Sequence, residues 1–482
     1  MLDFRPVAFV VGFMLAALSA LMLLPALVGL AEGGSDWRVF VRSAGLTAFV
    51  GGGMILATRG GRIRLNQRQA FLLTVVAWIA IAAFAALPFL LAPLGLDAAD
   101  AFFEAMSGLT TTGATVIVGL DRCDPALLLW RSMLQFIGGI GIIVIAVAVL
   151  PLLRVGGMQL FRLESSDKSE KVLPRAAQIA TGIGSIYAGL TLLCALVFWA
   201  LGMPGFDAVN HAMTTVATGG FSTRDASFGA FSSAALDMAC VVFMLCGGMT
   251  LTLFLRAYGG DRTALWRDTQ VRTYLGLFAA FSLAITAWLV LKEGWSPGDA
   301  LRHAGFTVAS VLTTTGFVST DWGLWGPFPL ALVFLLTFVG GCSGSTSGGI
   351  KIFRFQVLFQ IGRAQTRHAL MPSGVFVPKY NRRPIGEAVA QSVLAFVALY
   401  AATWALTVAA LSLCGLDLVT ALSGAATALG NVGPGLGDVI GPSGTFAPLP
   451  DSAKWIVSMA MLLGRLEMIT VMVLFTRSFW RM

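Results

Sequence analysis

Charge is what this chain has least of. Of its 482 residues, 12% are Asp, Glu, Lys or Arg, about half the roughly 25% of a soluble domain. Most of the backbone therefore has no water to face, and a soluble multidomain enzyme is excluded. Three histidines are too few for most metal chemistry. The six cysteines (Cys123, Cys194, Cys240, Cys246, Cys342, Cys414) include no C-x-x-C pair and lie mostly in or beside apolar runs. They read as small core residues, not a disulfide framework or a zinc site. No G-x-x-x-x-G-K-[ST] run and no dinucleotide fingerprint is present, so nucleotide control would have to come from a separate subunit. The net charge of +8 does not indicate nucleic acid as a partner, because the basic residues are dispersed among short loops.

What fills the chain instead is apolar sequence, 57% hydrophobic overall, in runs near the ~20 residues that cross a bilayer. Ten spans are predicted, at about 7–30, 39–58, 70–94, 127–153, 177–202, 233–257, 273–292, 327–360, 387–414 and 454–478. The first, preceded by Arg5 and lacking a convincing cleavage site, reads as a retained helix. No stretch remains for a sizeable domain outside the membrane. Ten spans place both termini on one side. That side carries Arg59, Arg62, Arg64 and Arg68, then Arg154, Arg162, Lys168, Lys171 and Arg175, then Arg256, Arg262, Arg267 and Arg272. Lys351, Arg354, Arg363, Arg367, Lys379, Arg382 and Arg383 follow, and with Arg5, Arg477 and Arg481 it holds 23 of the 32 basic residues. By the positive-inside rule it is cytoplasmic. The basic loops would also suit anionic lipid or an acidic partner.

The opposite face has 8 basic and 16 acidic residues, among them Asp97, Asp100, Glu104, Asp207, Asp299, Asp321, Asp417 and Asp438. Such a rim would concentrate cations, although acids also collect there merely by avoiding the positive side. Four long outer connections repeat one order: an Asp, a short semi-apolar stretch, then a Thr/Gly cluster. They are DAFFEAMSGLTTTGAT from Asp100, DAVNHAMTTVATGGFST from Asp207, DALRHAGFTVASVLTTTGFVST from Asp299 and DLVTALSGAATALGNVGPG from Asp417. The glycines Gly113, Gly220, Gly316 and Gly433 recur at intervals of 107, 96 and 117, and Ser107, Thr214, Ser310 and Thr427 each stand six residues earlier. A fourfold internal repeat governs the fold.

A stretch too short to cross, followed by Thr and Gly, is expected to turn back at membrane depth, where non-helical backbone must be buried in protein or line a watery cavity. Four such loops on one axis offer carbonyls that replace the hydration shell of an alkali cation. Glycine lets the backbone take positive φ, threonine adds a hydroxyl, and the short helices would aim their partly negative ends at the ion. Asp100, Asp207, Asp299 and Asp417 are expected to cap those helices.

With TTTGAT (110–115), ATGGFST (217–223), TTTGFVST (313–320), GNVGPG (430–435), GGIGIIVIAVAVLPLL (138–153) and GGCSGSTSGGIK (340–351), the chain resembles the TrkH branch of the Trk/Ktr/HKT superfamily of cation transporters over essentially its whole length. The resemblance implies an all-α membrane protein of about ten helices: two N-terminal helices (1–66) and four helix–pore loop–helix repeats around one pore (67–165, 166–265, 266–372, 373–482). It also implies potassium uptake across the bacterial inner membrane, a homodimer, and a cytosolic nucleotide-binding subunit of the TrkA type. By motif, Gly113, Gly220, Gly316 and Gly433 become filter glycines binding potassium, with Thr111, Thr112, Thr218, Gly219, Thr314, Thr315, Asn431 and Val432 beside them. No cofactor is implied beyond the conducted ion. Gly219 and Gly220 leave the second loop's register open by one, and Asn431 and Val432 make the fourth loop the most divergent. Serine at a filter glycine is associated with sodium permeation in this superfamily, so four glycines favour potassium.

The run 327–360 is too long for one crossing, and its centre (Gly340, Gly341, Ser343, Gly344, Ser345, Thr346, Ser347, Gly348, Gly349) is poor helix-forming sequence. The resemblance makes it a gate beneath the filter. The alternative is a helix-packing seam, since Gly340, Gly344 and Gly348 are four apart. Arg465 and Glu467 lie within the last span. A charge there costs on the order of 3 kcal/mol or more, so Arg465 is expected to face the cavity or the Gly/Ser segment, where the resemblance implies an arginine that hinders cations below the filter. Residues two apart do not face each other on a helix, which argues against an Arg465–Glu467 pair. A less selective potassium/sodium pathway and a proton-coupled transporter are the alternatives in function. An intramembrane protease built on Gly341-Cys342-Ser343-Gly344 would need a histidine near Ser343.

Overall fold

The computed structural model describes residues 3–34, 36–60, 65–144, 172–381 and 383–481, and they are overwhelmingly helical. The loop residues Arg62, Arg64, Arg154, Arg162, Lys168 and Lys171, the end of the 127–153 span and the boundary at 165/166 lie outside the described residues. Among those described, six helices are long and apolar enough to cross a membrane: Arg5–Ala31, Trp37–Thr58, Gln67–Leu91, Gln178–Ala200, Thr269–Lys292 and Glu387–Leu413. Their outward faces carry bare Phe13, Leu27, Phe49, Leu192, Trp199, Leu283 and Leu406. A helix apolar on its exposed side is solvated by lipid. The first two pack through Gly12 and Gly51, where a Cβ on Gly12 would come within 2.9 Å of the Gly51 carbonyl, as small residues permit in membranes.

Between the long helices stand four short ones, Ala98–Leu109, Gly205–Val216, Pro297–Leu312 and Leu418–Gly430. At 12 to 16 residues they reach about 18–24 Å, less than the ~30 Å hydrocarbon core. Their C-terminal halves are buried within the protein, so the backbone they end in never meets lipid.

Only Asp417 of the four expected caps is one; it accepts from Thr420 N at 3.0 Å. Asp97 and Ser296 cap the first and third short helices, accepting from Asp100 N at 2.8 Å and Asp299 N at 3.2 Å, and Pro204 opens the second without a side-chain cap. Asp100, Asp207 and Asp299 instead sit in the first turn, three residues past the cap, where a carboxylate still favours the positive helix end. Asp100 pairs there with Lys454, and Asp207 takes Thr223 Oγ1 at 2.6 Å and Arg224 Nη2 at 2.7 Å.

Three predicted spans are not straight helices. The 233–257 span breaks between Ala234–Gly247 and Leu251–Tyr258 with a 93° bend, and the 454–478 span between Asp451–Arg465 and Met468–Phe475 with a 111° bend. The 327–360 span is two helices, Pro327–Thr337 and Ile352–Leu370, joined by irregular chain. The breaks meet one another: Cys342 N donates to Gly248 O at 2.8 Å, Thr250 Oγ1 to Ser343 O at 2.7 Å, and Arg465 Nη1 to Thr346 O at 2.7 Å. Each break thus satisfies backbone groups freed by another, as hydrocarbon requires.

The Asp100 backbone N–H holds the Asp97 carboxyl below the usual carboxylate range, and the Thr420 hydroxyl and backbone N–H do the same for Asp417. Because both folded values are depressed, the caps contribute above the unfolded value, about 4, and are lost as pH falls through the folded ones. Asp97→Ala and Asp417→Ala are each expected to cost about 1 kcal/mol near neutrality, read as a lower thermal midpoint in detergent that converges on wild type in acid.

Candidate functional site

The four short helices end alike. Thr111, Thr218, Thr314 and Asn431 take left-handed φ of 53°, 52°, 58° and 53°. Their N–H groups donate to Gly108, Thr215 and Val311 O at 3.0 Å and to Ala428 O at 3.3 Å. The next residues, Thr112, Gly219, Thr315 and Val432, donate to Ser107 O (2.9 Å), Thr214 O (2.9 Å), Ser310 O (2.8 Å) and Thr427 O (3.0 Å). These paired bonds are a Schellman closure of the helix end. They account for the position six residues before each glycine: its common contribution is a carbonyl, since Ser107 Oγ and Thr427 Oγ1 have no hydrogen-bond partner.

One residue later come the glycines, at φ 87° (Gly113), 74° (Gly220), 84° (Gly316) and 108° (Gly433). In each loop a single residue without positive φ separates the left-handed corner from the left-handed glycine. A Cβ on Gly113 would strike Gly219 O, on Gly220 Thr315 O, on Gly316 Val432 O, and on Gly433 would lie 2.9 Å from Thr112 O. The circuit closes: each glycine abuts the carbonyl just before the glycine of the next loop, and the fourth returns to the first. Gly220, not Gly219, shares the conformation of the other three. Gly219 is glycine for another reason, because its Cβ would collide with Gln135. Gln135 Nε2 donates to Gly219 O at 2.6 Å and its Oε1 accepts from Phe221 N at 3.0 Å.

The threonine hydroxyls turn mostly into protein. Thr112 Oγ1 bonds Thr110 Oγ1 at 2.7 Å, Thr315 Oγ1 bonds Thr313 Oγ1 at 2.6 Å, and Thr111 Oγ1 is buried without a hydrogen-bond partner. Asn431 Nδ2 reaches sideways to Thr112 Oγ1 at 3.0 Å and Met461 O at 2.9 Å. Among the described residues no group of three or more His, Cys, Asp or Glu could hold a metal ion.

The Gly340–Gly349 segment is irregular and lies against the loops, with φ 74°, 79° and 72° at Gly340, Gly344 and Gly349; a helix-packing seam is thereby overturned. Thr218 Oγ1 donates to Thr346 Oγ1 at 3.2 Å, Gly348 N to Thr314 Oγ1 at 2.8 Å, and Gly349 N to Gly430 O at 2.9 Å. Ser347 Oγ lies 3.3 Å from Thr314 Oγ1 and accepts from Gly341 N at 2.8 Å, and Ser345 Oγ donates to Cys342 O at 2.6 Å. Two of the four left-handed corners, Thr218 and Thr314, and Gly430, the residue before a third, are therefore tied to this segment. Arg465, 3% exposed, holds Thr346 O through Nη1 while its Nε and Nη2 lack hydrogen-bond partners. Glu467 pairs instead with Arg354, whose guanidinium lies 3.7 Å from the Phe396 ring centroid.

Ser343 donates its N–H to Gln270 Oε1 at 2.9 Å. The histidines bond elsewhere, His211 to Asp207 O and Ser222, His303 to Ser319 and His368 to Gly374 O. The acidic rim is thinner than the sequence suggests. Asp207 and Glu104 are buried, 3% and 0% exposed, Glu104 against Arg131 at 2.7 Å. Gln135 and Arg131, both on the helix Pro125–Val144, went unremarked in the sequence. A polar side chain inside an apolar span was the available signal.

A family model described as a cation transport protein, TrkH, matches residues 38–481. The chain is 46% identical to the Trk system potassium uptake protein TrkI of Halomonas elongata, over 99% of this chain and 97% of that one. It is 38% identical to the Trk system potassium uptake protein TrkH of Escherichia coli over the full length of both. Among solved structures, the potassium transporter TrkH from Vibrio parahaemolyticus superposes with a TM-score of 0.92 at 37% identity, covering both chains completely. With membrane-length apolar helices and a relationship that spans its whole length, the chain is a multi-pass membrane transporter and not an enzyme, and it belongs to the TrkH family of cation transport proteins.

Proposed function

We propose that this protein is a channel-like potassium uptake pathway of the bacterial inner membrane, with both termini cytoplasmic. The closed circuit of four glycines against four carbonyls carries the reading. Carbonyls from Thr112, Gly219, Thr315 and Val432 would replace the hydration shell of a dehydrated alkali cation, with Gly113, Gly220, Gly316 and Gly433 allowing the close approach. The four short helices add the partial negative charge of their C-terminal ends. One glycine per loop supports few ion sites, and a looser filter than a long carbonyl signature would give. The membrane potential supplies about 2.3 kcal/mol per charge per 100 mV, so inward flux needs no ATP hydrolysis in this chain.

The Gly340–Gly349 segment acts as the gate and Arg465 as the barrier beneath the filter: a desolvated guanidinium with unpartnered N–H groups opposes a cation on the same path. Glu467 lies within the last predicted span, and its pairing with Arg354 argues against a proton-carrying role for it. A homodimer and a cytosolic nucleotide-binding subunit of the TrkA type complete the proposal, supported by the family relationship and by the absence of a nucleotide motif in this sequence.

Purified protein in liposomes under opposed potassium and sodium gradients is expected to reverse near the potassium equilibrium potential; a value midway between the two would reduce the function to a general monovalent-cation route. Gly220→Ser, which presses a side chain on Thr315 O, is expected to move the reversal toward sodium. Arg465→Ala is expected to raise resting cation leak severalfold, since it removes a charge opposing the ion, with reversal unchanged. A lower leak would reject the barrier.

A further inference from the structure

We propose that Glu104 and Arg131 are selectivity-positioning residues: a buried ion pair that sets the spacing between the first two pore loops. The inference rests on the potassium reading above and deepens it. Glu104, on the short helix Ala98–Leu109, and Arg131, on the helix Pro125–Val144, are 0% and 1% exposed. A buried pair needs every remaining donor and acceptor satisfied to be tolerated, and here the contacts run to loop backbone and to Thr115. Glu104 Oε1 accepts from Arg131 Nε at 2.7 Å and from Thr115 Oγ1 at 3.0 Å. Its Oε2 accepts from Thr115 Oγ1 and Val116 N, each at 3.0 Å. Arg131 Nη2 donates to Thr115 Oγ1 at 3.2 Å. Its Nη1 crosses to the second loop and donates to Ser222 O at 2.7 Å, with the guanidinium 4.1 Å from the Phe221 ring centroid.

Position in the repeat gives this pair its meaning. Glu104 stands nine residues before Gly113, and Thr115 two after it. In the second loop the same positions are His211 and Ser222, and they too are bonded, His211 Nε2 to Ser222 Oγ at 3.0 Å, with His211 Nδ1 on Asp207 O at 2.8 Å. The third and fourth loops carry Thr307 with Val318 and Gly424 with Gly435, so no side-chain hydrogen bond can form at the later position. The polar clamp therefore belongs to the first two loops, and Arg131 joins them. Those two loops meet where Gly113 abuts Gly219 O, one edge of the carbonyl circuit. Because alkali-cation preference depends on the spacing and number of coordinating carbonyls, the pair holding that edge acts on selectivity without touching the ion.

Glu104→Gln offers one oxygen where the carboxylate offers two and turns an amide donor toward donors already present. Thr115→Val removes the shared hydroxyl at nearly constant shape, and Thr115→Ser restores it. Potassium and sodium reversal, total flux and monodisperse yield would be measured for wild type and all three. We expect E104Q and T115V to lose about tenfold in potassium preference, a shift of about 59 mV toward sodium, with T115S near wild type. If E104Q does not fold, T115V decides. Lower yield or flux in T115V with unchanged reversal makes the clamp a folding element only and overturns the proposal. A wild type without potassium preference would remove the potassium reading and this inference together.

Discussion

Everything in this molecule depends on ending four helices inside a membrane without leaving a backbone group unpaired. Each short helix does so through one left-handed corner, at Thr111, Thr218, Thr314 or Asn431, followed two residues later by a left-handed glycine. The corner satisfies the last carbonyls and turns the chain outward again. None of the four corner residues is glycine, and a left-handed L-residue costs about 1–2 kcal/mol; the two helix-end bonds that each corner closes offset that cost. The glycine position has no such freedom. A side chain there would occupy the place of the neighbouring loop's carbonyl, so glycine is required by the loop next door and not by the turn alone. Closure of the four loops is therefore encoded as much in missing side chains as in present ones.

The same constraint explains why three spans break at one level. Gly248, Thr250, Ser343, Thr346 and Arg465 trade hydrogen bonds among the broken ends, and the Gly/Ser segment extends that exchange upward to Thr218, Thr314 and Gly430. A segment held by the residues that shape the carbonyl circuit cannot shift without releasing them. On the proposed reading, gate and filter are then one hydrogen-bonded unit, and a movement of the segment must leave the corner hydroxyls of Thr218 and Thr314 to find other partners.

Much of this was legible in the sequence because it rests on local chemistry. Repeated Thr and Gly at fixed offsets announced four equivalent turns, and the run of Gly and Ser announced a failed helix. What stayed hidden depends on distant partners. Gly219 and Gly220 look interchangeable in sequence, yet one is required by a left-handed backbone and the other by Gln135, 84 residues earlier in the chain. Glu104 and Asp207 read as rim acids until Arg131, Thr223 and Arg224 come beside them. Asp100 and Asp299 resemble caps, but Asp97 and Ser296, three residues earlier, reach the free N–H groups first. The bends at 247–250 and 466–467 escape an apolar count because a lipid-like composition does not record whether the helix inside it is continuous.

Fusing four loops into one chain permits what a symmetric assembly could not hold. Arg465 is single, buried and only partly hydrogen-bonded. Repeated by fourfold symmetry around one axis, the same side chain would bring four like charges together, each close pair costing about 4 kcal/mol at 4 Å and an effective dielectric constant of 20. Asn431 likewise works because its neighbours differ from it: its amide donates to the Thr112 hydroxyl of the first loop and to Met461 O. The ionic clamp of Glu104 and Arg131 is present once, against the first two loops. A near-fourfold backbone with non-fourfold side chains lets the ring of carbonyls remain regular while one positive charge, one amide and one ion pair are each placed a single time around it.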